Sequence, residues 1–265
     1  MKFPALILAS VLAGAQFSAP AAAVTREEAT IQNSMVVLRE LQAMPDLRIP
    51  DQLLTRAEGI VILPANVKVG LGFGARFGNG VLLVRKADHS WSNPVFVSSG
   101  GGSWGFQVGG QVADIVLVLT TKRSVEGITD GKLTLGADAA VAAGPVGRTA
   151  MASTSLTFDS EIYAYSRSKG LFAGVSLEGN GIFIGRKANR RFYDGEDSAT
   201  AILAQTNAPP PPADELVAEV GRVITVATQT TAEAPQAATE STPAQPPDEA
   251  RTYPMPDPDP GAEPR

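Results

Sequence analysis

Two short motifs in this chain have the residue types and spacing of catalytic sites. Gly101-Gly102-Ser103-Trp104-Gly105 carries the G-x-S-x-G spacing of a nucleophile elbow. There a tight strand-to-helix turn presents the serine hydroxyl to a histidine base, and the acid and the histidine follow the serine in the chain. The sole histidine, His89, precedes Ser103 and sits in a polar Asp88-His89-Ser90 turn, and strand-like sequence follows the serine where a helix is required. Gly70-Leu71-Gly72-Phe73-Gly74-Ala75 has the G-x-G-x-x-A spacing that lets a backbone approach a pyrophosphate. That use needs a helix N-terminus directly after the glycines. Here period-two alternation runs straight through them, and no G-K-[ST] phosphate loop occurs elsewhere. Serine hydrolysis and nucleotide binding are thus disfavoured. The chain reads as a binding protein rather than an enzyme, with no cofactor.

Metal chemistry finds equally little support. The absence of cysteine excludes disulfides, thiolate sites, a cysteine nucleophile and a lipid-modified cysteine. One histidine leaves oxygen ligands, and Asp114, Glu126, Asp130 and Asp138 lack the spacing of a calcium loop, so no metal is expected. Asp159 and Glu161 share a side of an expected strand, where solvated surface is the commoner fate of such a pair.

Cations carry the clearest surface signal. Arg186, Lys187, Arg190 and Arg191 form a run, with smaller groups at Lys122-Arg123, at Arg167 with Lys169, and at Arg85-Lys86. Solvation accounts for any single pair. A run of four suits phosphate headgroups, each engaged cation contributing about 1 kcal/mol near an anionic surface. Charge is otherwise divided unevenly: residues 24–206 hold 18 Lys/Arg against 17 Asp/Glu, and residues 207–265 hold 3 against 10. The acidic balance is therefore a property of the tail and says little about what the domain binds. Nucleic acid is not an expected partner, given this acidic tail and the export argued next.

The elements that must position these residues begin after a targeting segment. Lys2, the apolar run from Ala5 to Ala15 and the small-residue site Ala21-Ala22-Ala23 read as a secretory signal over residues 1–23, with Val24 as the mature start. The expected location is the periplasm or the extracellular space, peripheral to a membrane. A helix is expected over Arg26 to Met44, with Ile31, Met35, Leu38 and Leu41 on one face and Thr25/Glu28 as a capping box. A second helix is expected over Asp51 to Ala57, with Asp51 as N-cap. Strands are expected at Ile60 to Leu63, ended by Pro64, and at Val67 to Phe77, whose odd positions should face the core. A Gly78-Asn79 hairpin turn should lead into Val81 to Arg85. Further strands are expected at Val95 to Ser98, Trp104 to Val112, Ile115 to Thr121, Leu156 to Ser166, Leu171 to Leu177 and Gly181 to Gly185. A closing helix follows over Glu196 to Ala204. Residues 132–147, rich in alanine and glycine, suggest no element. The expected class is α+β: N-terminal helices, then a glycine-rich antiparallel β-meander that curls toward a barrel, all within residues 24–206. The tail, 207–265, holds 13 of the 20 prolines and reads as linker and disordered chain, with Asp214 to Thr225 able to form a short helix.

Four long blocks resemble the SYLF domain family in order: Gly59 to Arg85 (GIVILPANVKVGLGFGARFGNGVLLVR), Trp91 to Leu119, Arg123 to Arg148, and Glu161 to Gly179. The Asn189 to Tyr193 region and the N-terminal helix fit as well. The resemblance implies a lipid-binding module, since eukaryotic members are associated with phosphoinositides and, in yeast, with actin. It supplies no catalytic residues. Taken with the cations, it leads to the expectation of an exported SYLF-like module that binds anionic phospholipid at a membrane surface. Arg186, Lys187, Arg190, Arg191, Lys122, Arg123, Arg167 and Lys169 would be the headgroup contacts. A structural or protein-interaction module with an envelope protein partner is the first alternative, and an enzyme with an unrecognised site the second.

Overall fold

Thr25 opens the first helix in the manner its spacing implies: its hydroxyl accepts from the Glu28 amide at 3.2 Å, and the Glu28 carboxylate accepts from the Thr25 amide at 2.7 Å. The computed structural model describes residues 24–45, 48–145, 158–168 and 179–233, with backbone alone for 70–73 and 103–109. Residues 1–23, Lys169, the Leu171 to Leu177 strand and the end of the tail lie outside the described residues. Helix α1 (Arg26–Ala43) buries Ile31, Met35, Leu38 and Leu41 as expected. Helix α2 (Asp51–Thr55) is shorter than expected, and Asp51 is not its N-cap. Pro50 takes that position without a side-chain bond, and Asp51, already helical, pairs with Arg48 at 2.6 Å.

The sheet departs most from the expected series of short strands. One strand, β1 (Gly59–Val84), runs through both Pro64 and Gly78-Asn79, and a second, β2 (Val95–Leu119), pairs with it antiparallel from Gly59↔Leu119 to Leu82↔Val95. Pro64 does not end the strand because an irregularity between Leu63 and Asn66 absorbs it. There Ala65 takes φ +49° and donates its amide to Asp114 Oδ1 at 2.9 Å. Nor is Gly78-Asn79 a hairpin turn: both residues stay in the ladder opposite Ser99 and Ser98. The chain turns instead between Val84 and Val95, where Asp88 accepts from both the amide and the hydroxyl of Ser90.

Long strands of this kind must bend. β1 curls until its two ends meet, the Arg85 amide donating to Glu58 O at 2.8 Å. At the crossing, a Cβ on Gly80 would lie 1.9 Å from Ile62 O, so glycine is required for the two backbones to approach. The core fills the fold between them with Ile60, Val61, Ile62, Leu63, Val81, Leu82 and Leu83, and Ile115 to Leu119 of β2 join it.

Helix α3 (Lys122–Thr129), in a stretch where the sequence suggested no element, is capped by Thr121, whose hydroxyl accepts from the Ser124 amide. Short strands β3 (Lys132–Thr134) and β4 (Val141–Ala143) occupy the alanine-rich stretch, followed by β5 (Ile162–Ser168) and β6 (Gly181–Ile184). The sheet order is β3-β6-β2-β5-β4 with β1 on β2, antiparallel except for the β4–β5 pair. Helices α4 (Arg186–Phe192) and α5 (Ala199–Ala204) follow, α5 capped by Ser198. The class is α+β with a curled, mainly antiparallel sheet, as expected.

The domain boundary placed at residue 206 is corrected by the last helix, α6 (Ala213–Glu233). It docks on α1 and α2 and buries Leu216, Val220, Val223, Ile224 and Ala227 in the main core. Glu219, nearly buried, accepts from Arg39 at 3.2 Å and from Arg222 at 2.7 Å. The proline run before α6 leads into the domain rather than away from it.

Candidate functional site

Both enzyme-like motifs dissolve in the sheet. Ser103 lies mid-strand opposite Gly74, where an elbow needs a strand-to-helix turn, and His89 is exposed in the β1–β2 turn at φ +66°. Gly70 to Ala75 is continuous strand with no helix after it. Asp159 and Glu161 precede β5 rather than sharing it, and Glu161 pairs with Arg123 at 3.5 Å.

The glycine-rich halves of β1 and β2 have two unlike faces. In an antiparallel ladder, directly opposed residues project from the same side. One side carries Val69, Ala75, Phe77 and Val112, and it is the solvent side: Phe77 is 53% exposed, Val69 44% and Val112 40%. The expectation that the odd positions of Val67 to Phe77 face the core is therefore corrected at Val69, Ala75 and Phe77. The cause is steric. On the other side a Cβ on Gly78 would lie 2.4 Å from Asn66 Nδ2, so the strand folds inward on its glycines and turns its large residues out.

The inner side is unexpectedly polar. Asn66 and Ser99 are buried and hydrogen-bonded to each other. One row further on, Arg76 stands opposite Gly101, and a Cβ on Gly101 would lie 2.6 Å from Asn180 Oδ1. Desolvation by burial holds the Arg76 guanidinium below its ordinary pKa. The sequence reading missed Arg76 and Asn180. Part of the signal was there, since Lys68 and Arg76 are charges placed in the glycine register of an alternating strand. Asn180 carries none, because only the β2–β6 pairing brings it alongside.

The cations chosen from the sequence do not come together as one free patch. Helix α4 is anchored from below by Asn189, whose Oδ1 accepts from the Phe96 amide at 2.7 Å, and by Phe192, edge-on to Phe96. Its outer side presents Arg186, Lys187, Arg190 and Arg191. Arg190 pairs with Asp197 and Arg191 with Glu27 of α1. Arg167 is mostly buried between Glu40 and Asp114, which raise its pKa: the hydrogen bond to Asp114 is the largest cause and the Glu40 bond adds to it. That geometry ties β5 to α1 and β2. Arg123 reaches Glu161, as noted above. Among the described residues, Arg186, Lys187 and Lys122 are the members of the set that are exposed and without a carboxylate partner.

Among the described residues no group of three or more His, Cys, Asp or Glu side chains could hold a metal ion, and no helix is long and apolar enough to cross a membrane.

Comparison with known proteins places this architecture. Residues 100–223 match the family model described as Ysc84, Las17-binding protein actin regulator. The match runs into α6, in keeping with that helix being part of the domain. LAS seventeen-binding protein 3 of Saccharomyces cerevisiae is 41% identical over 174 residues, which are 64% of this chain and 38% of the yeast protein. Protein YSC84 of the same yeast is 40% identical over 175 residues, 65% of this chain and 37% of that protein. SH3 domain-containing YSC84-like protein 1 of Mus musculus is 37% identical over 173 residues, 65% of this chain and 51% of the mouse protein. The chain thus spans about two fifths to one half of the length of these relatives. Through residues 100–223 the chain is similar to the Ysc84 family of SYLF domains.

Proposed function

We propose that this chain is an exported SYLF module that binds anionic phospholipid at a membrane surface, as a binding protein rather than an enzyme. The observation that carries the reading is the solvent-facing apolar side of the β1–β2 arm, with Val69, Phe77 and Val112 exposed on one face of a sheet. Lys122, Arg186 and Lys187, exposed and unpaired, supply attraction to headgroups at about 1 kcal/mol each, so about 3 kcal/mol if all three reach the surface. Moving a side chain such as Phe77 out of water adds about 1.5–3 kcal/mol. Lys2, the apolar Ala5 to Ala15 run and the Ala21-Ala22-Ala23 site support export.

Vesicle flotation at low salt tests this. Wild-type protein floats with vesicles rich in phosphatidylglycerol and less with pure phosphatidylcholine, and salt weakens the binding because exposed charges are screened within about 8 Å at physiological ionic strength. Phe77→Glu and the double change Arg186→Gln with Lys187→Gln each reduce flotation without moving the unfolding midpoint. Failure of the wild-type protein to float with anionic vesicles refutes the lipid reading.

A protein partner is the second reading. It is favoured by the family's description as a Las17-binding actin regulator and by the yeast relative named for binding that partner. For an exported chain the corresponding partner would be an envelope protein, docked on the same apolar face.

A further inference from the structure

Buried polar groups in folded proteins nearly always find hydrogen-bond partners, so each that does not calls for an explanation. Asn180 is 4% exposed, and among the described residues neither its Nδ2 nor its Oδ1 has a partner. Its backbone is satisfied, Asn180 O accepting from the Leu135 amide at 2.9 Å. The orphaned amide faces the empty Cβ position of Gly101. Directly across the ladder from Gly101 stands Arg76, projecting from the same side, with Nη1 buried and likewise without a partner. Arg76 on β1 and Asn180 just before β6 thus lie on the two sides of one glycine of β2, and among the described residues Arg76 Nη1 and both polar side-chain atoms of Asn180 have no partner. The contrast one row away is informative, because there Asn66 and Ser99 satisfy each other.

We propose that Arg76 and Asn180 form a recess for a phosphate group that carries a hydroxyl or similar donor. The guanidinium and the amide Nδ2 offer N–H donors to anionic oxygens, and Asn180 Oδ1 offers an acceptor to the donor beside them. A monoprotonated phosphate presents this set, and so does a headgroup phosphate with a neighbouring hydroxyl. Glycine is required at position 101 for Asn180 to pack against it, since any side chain there would fall on Asn180. The site lies on the inner side of the arm, opposite the apolar face assigned to membrane contact. A lipid as the source of the phosphate rests on the phospholipid reading above, whereas a soluble phosphate does not.

The test is calorimetric titration of the full chain with inorganic phosphate near neutral pH, with sulfate, which has no hydroxyl there, as comparison. Wild-type protein takes up phosphate in preference to sulfate, and Arg76→Gln and Asn180→Asp each weaken phosphate binding at least tenfold. Asn180→Asp does so while keeping or raising the unfolding midpoint, because the new carboxylate pairs with Arg76 and fills the recess; Arg76→Lys restores part of the affinity. Arg186→Gln with Lys187→Gln leaves phosphate binding unchanged. Flotation with phosphatidylglycerol vesicles is the second arm. Loss of both phosphate uptake and flotation in Arg76→Gln assigns the recess to a lipid headgroup, as does loss of flotation where free phosphate does not bind. Loss of phosphate uptake alone assigns it to a soluble phosphate ester and leaves the membrane reading to stand on its own test. The proposal is overturned if the two variants match wild type in both arms, or if wild type binds neither phosphate nor vesicles.

Discussion

Truncating Leu216 to alanine measures whether the C-terminal helix is part of the domain. Leu216 is wholly buried on α6, in the same cluster as Leu53 and Leu54 of α2 and Leu38 of α1. A leucine removed from such a site costs about 2–5 kcal/mol, made up of lost transfer energy and the cavity left behind. Taking about 3 kcal/mol, and about 2–4 °C per kcal/mol for a domain of this size, the midpoint falls by about 6–12 °C. Val226, on the same helix but 44% exposed, provides the control, and Val226→Ala should change stability by no more than about 0.5 kcal/mol. Circular dichroism melts, with urea titrations at 25 °C, give both numbers. Ending the chain at Pro212 should cost more than Leu216→Ala, because it uncovers the whole docking face on α1 and α2. Equal midpoints for Leu216→Ala and Val226→Ala, or a truncated chain as stable as the full one, would refute the docking and restore the tail to a solvated linker.

Three further perturbations follow from the same structure. Gly80→Ala should prevent folding or destabilise severely, since its Cβ would lie 1.9 Å from Ile62 O, whereas Gly110→Ala, with nothing nearer than 3.9 Å, should be tolerated; soluble yield and midpoint distinguish them. Glu219 has its pKa lowered, chiefly by the hydrogen bond from Arg222 and then by that from Arg39, against an opposing desolvation. Its stabilisation is complete above the ordinary carboxylate value of about 4.3 and disappears as pH falls through the lower folded value. The stability difference between wild type and Glu219→Gln, followed by urea titration, should therefore shrink toward zero on acidification below about pH 4. Thr25→Ala should cost about 1 kcal/mol by removing the cap of α1, read as a small drop in midpoint.

What could be read from the sequence was local. The 3–4 spacing of Ile31, Met35, Leu38 and Leu41 and the Thr25/Glu28 pair specify α1 without help from the rest of the chain. The alternation from Val67 to Phe77 specifies a strand equally well. It cannot say which face is inside, because that depends on where the sheet folds back, and Gly78 and Gly80 decide this through contacts with Asn66 and Ile62. Gly78-Asn79 has turn chemistry but stays extended, since the ladder with Ser98 and Ser99 outweighs a local preference. The tail helix was visible as a pattern at Leu216, Val220, Val223 and Ile224, yet its docking depends on α1 and α2, far off in sequence. The cationic run was equally plain. Its neutralisation was not, because Arg191 finds Glu27 across 164 positions of chain. The recess at Arg76 and Asn180 is the least legible feature, resting on a register between strands about a hundred residues apart.

The pairing of β1 with β2 also dictates an order of events as the chain folds. Leu82 and Val95 are separated by a short turn, while Gly59 and Leu119 lie at the far end of the same ladder. Closing a short loop costs little entropy, and each doubling of loop length adds about 0.6 kcal/mol. Pairing therefore starts beside the Asp88-His89-Ser90 turn and zips outward through the glycines, and β1 can meet its own beginning at Glu58 and Arg85 only when the zipper is complete. Changes near Val84 and Val95 should slow folding. Changes at the Gly59–Leu119 end should instead speed unfolding, so the two ends of one ladder govern opposite limbs of the kinetics.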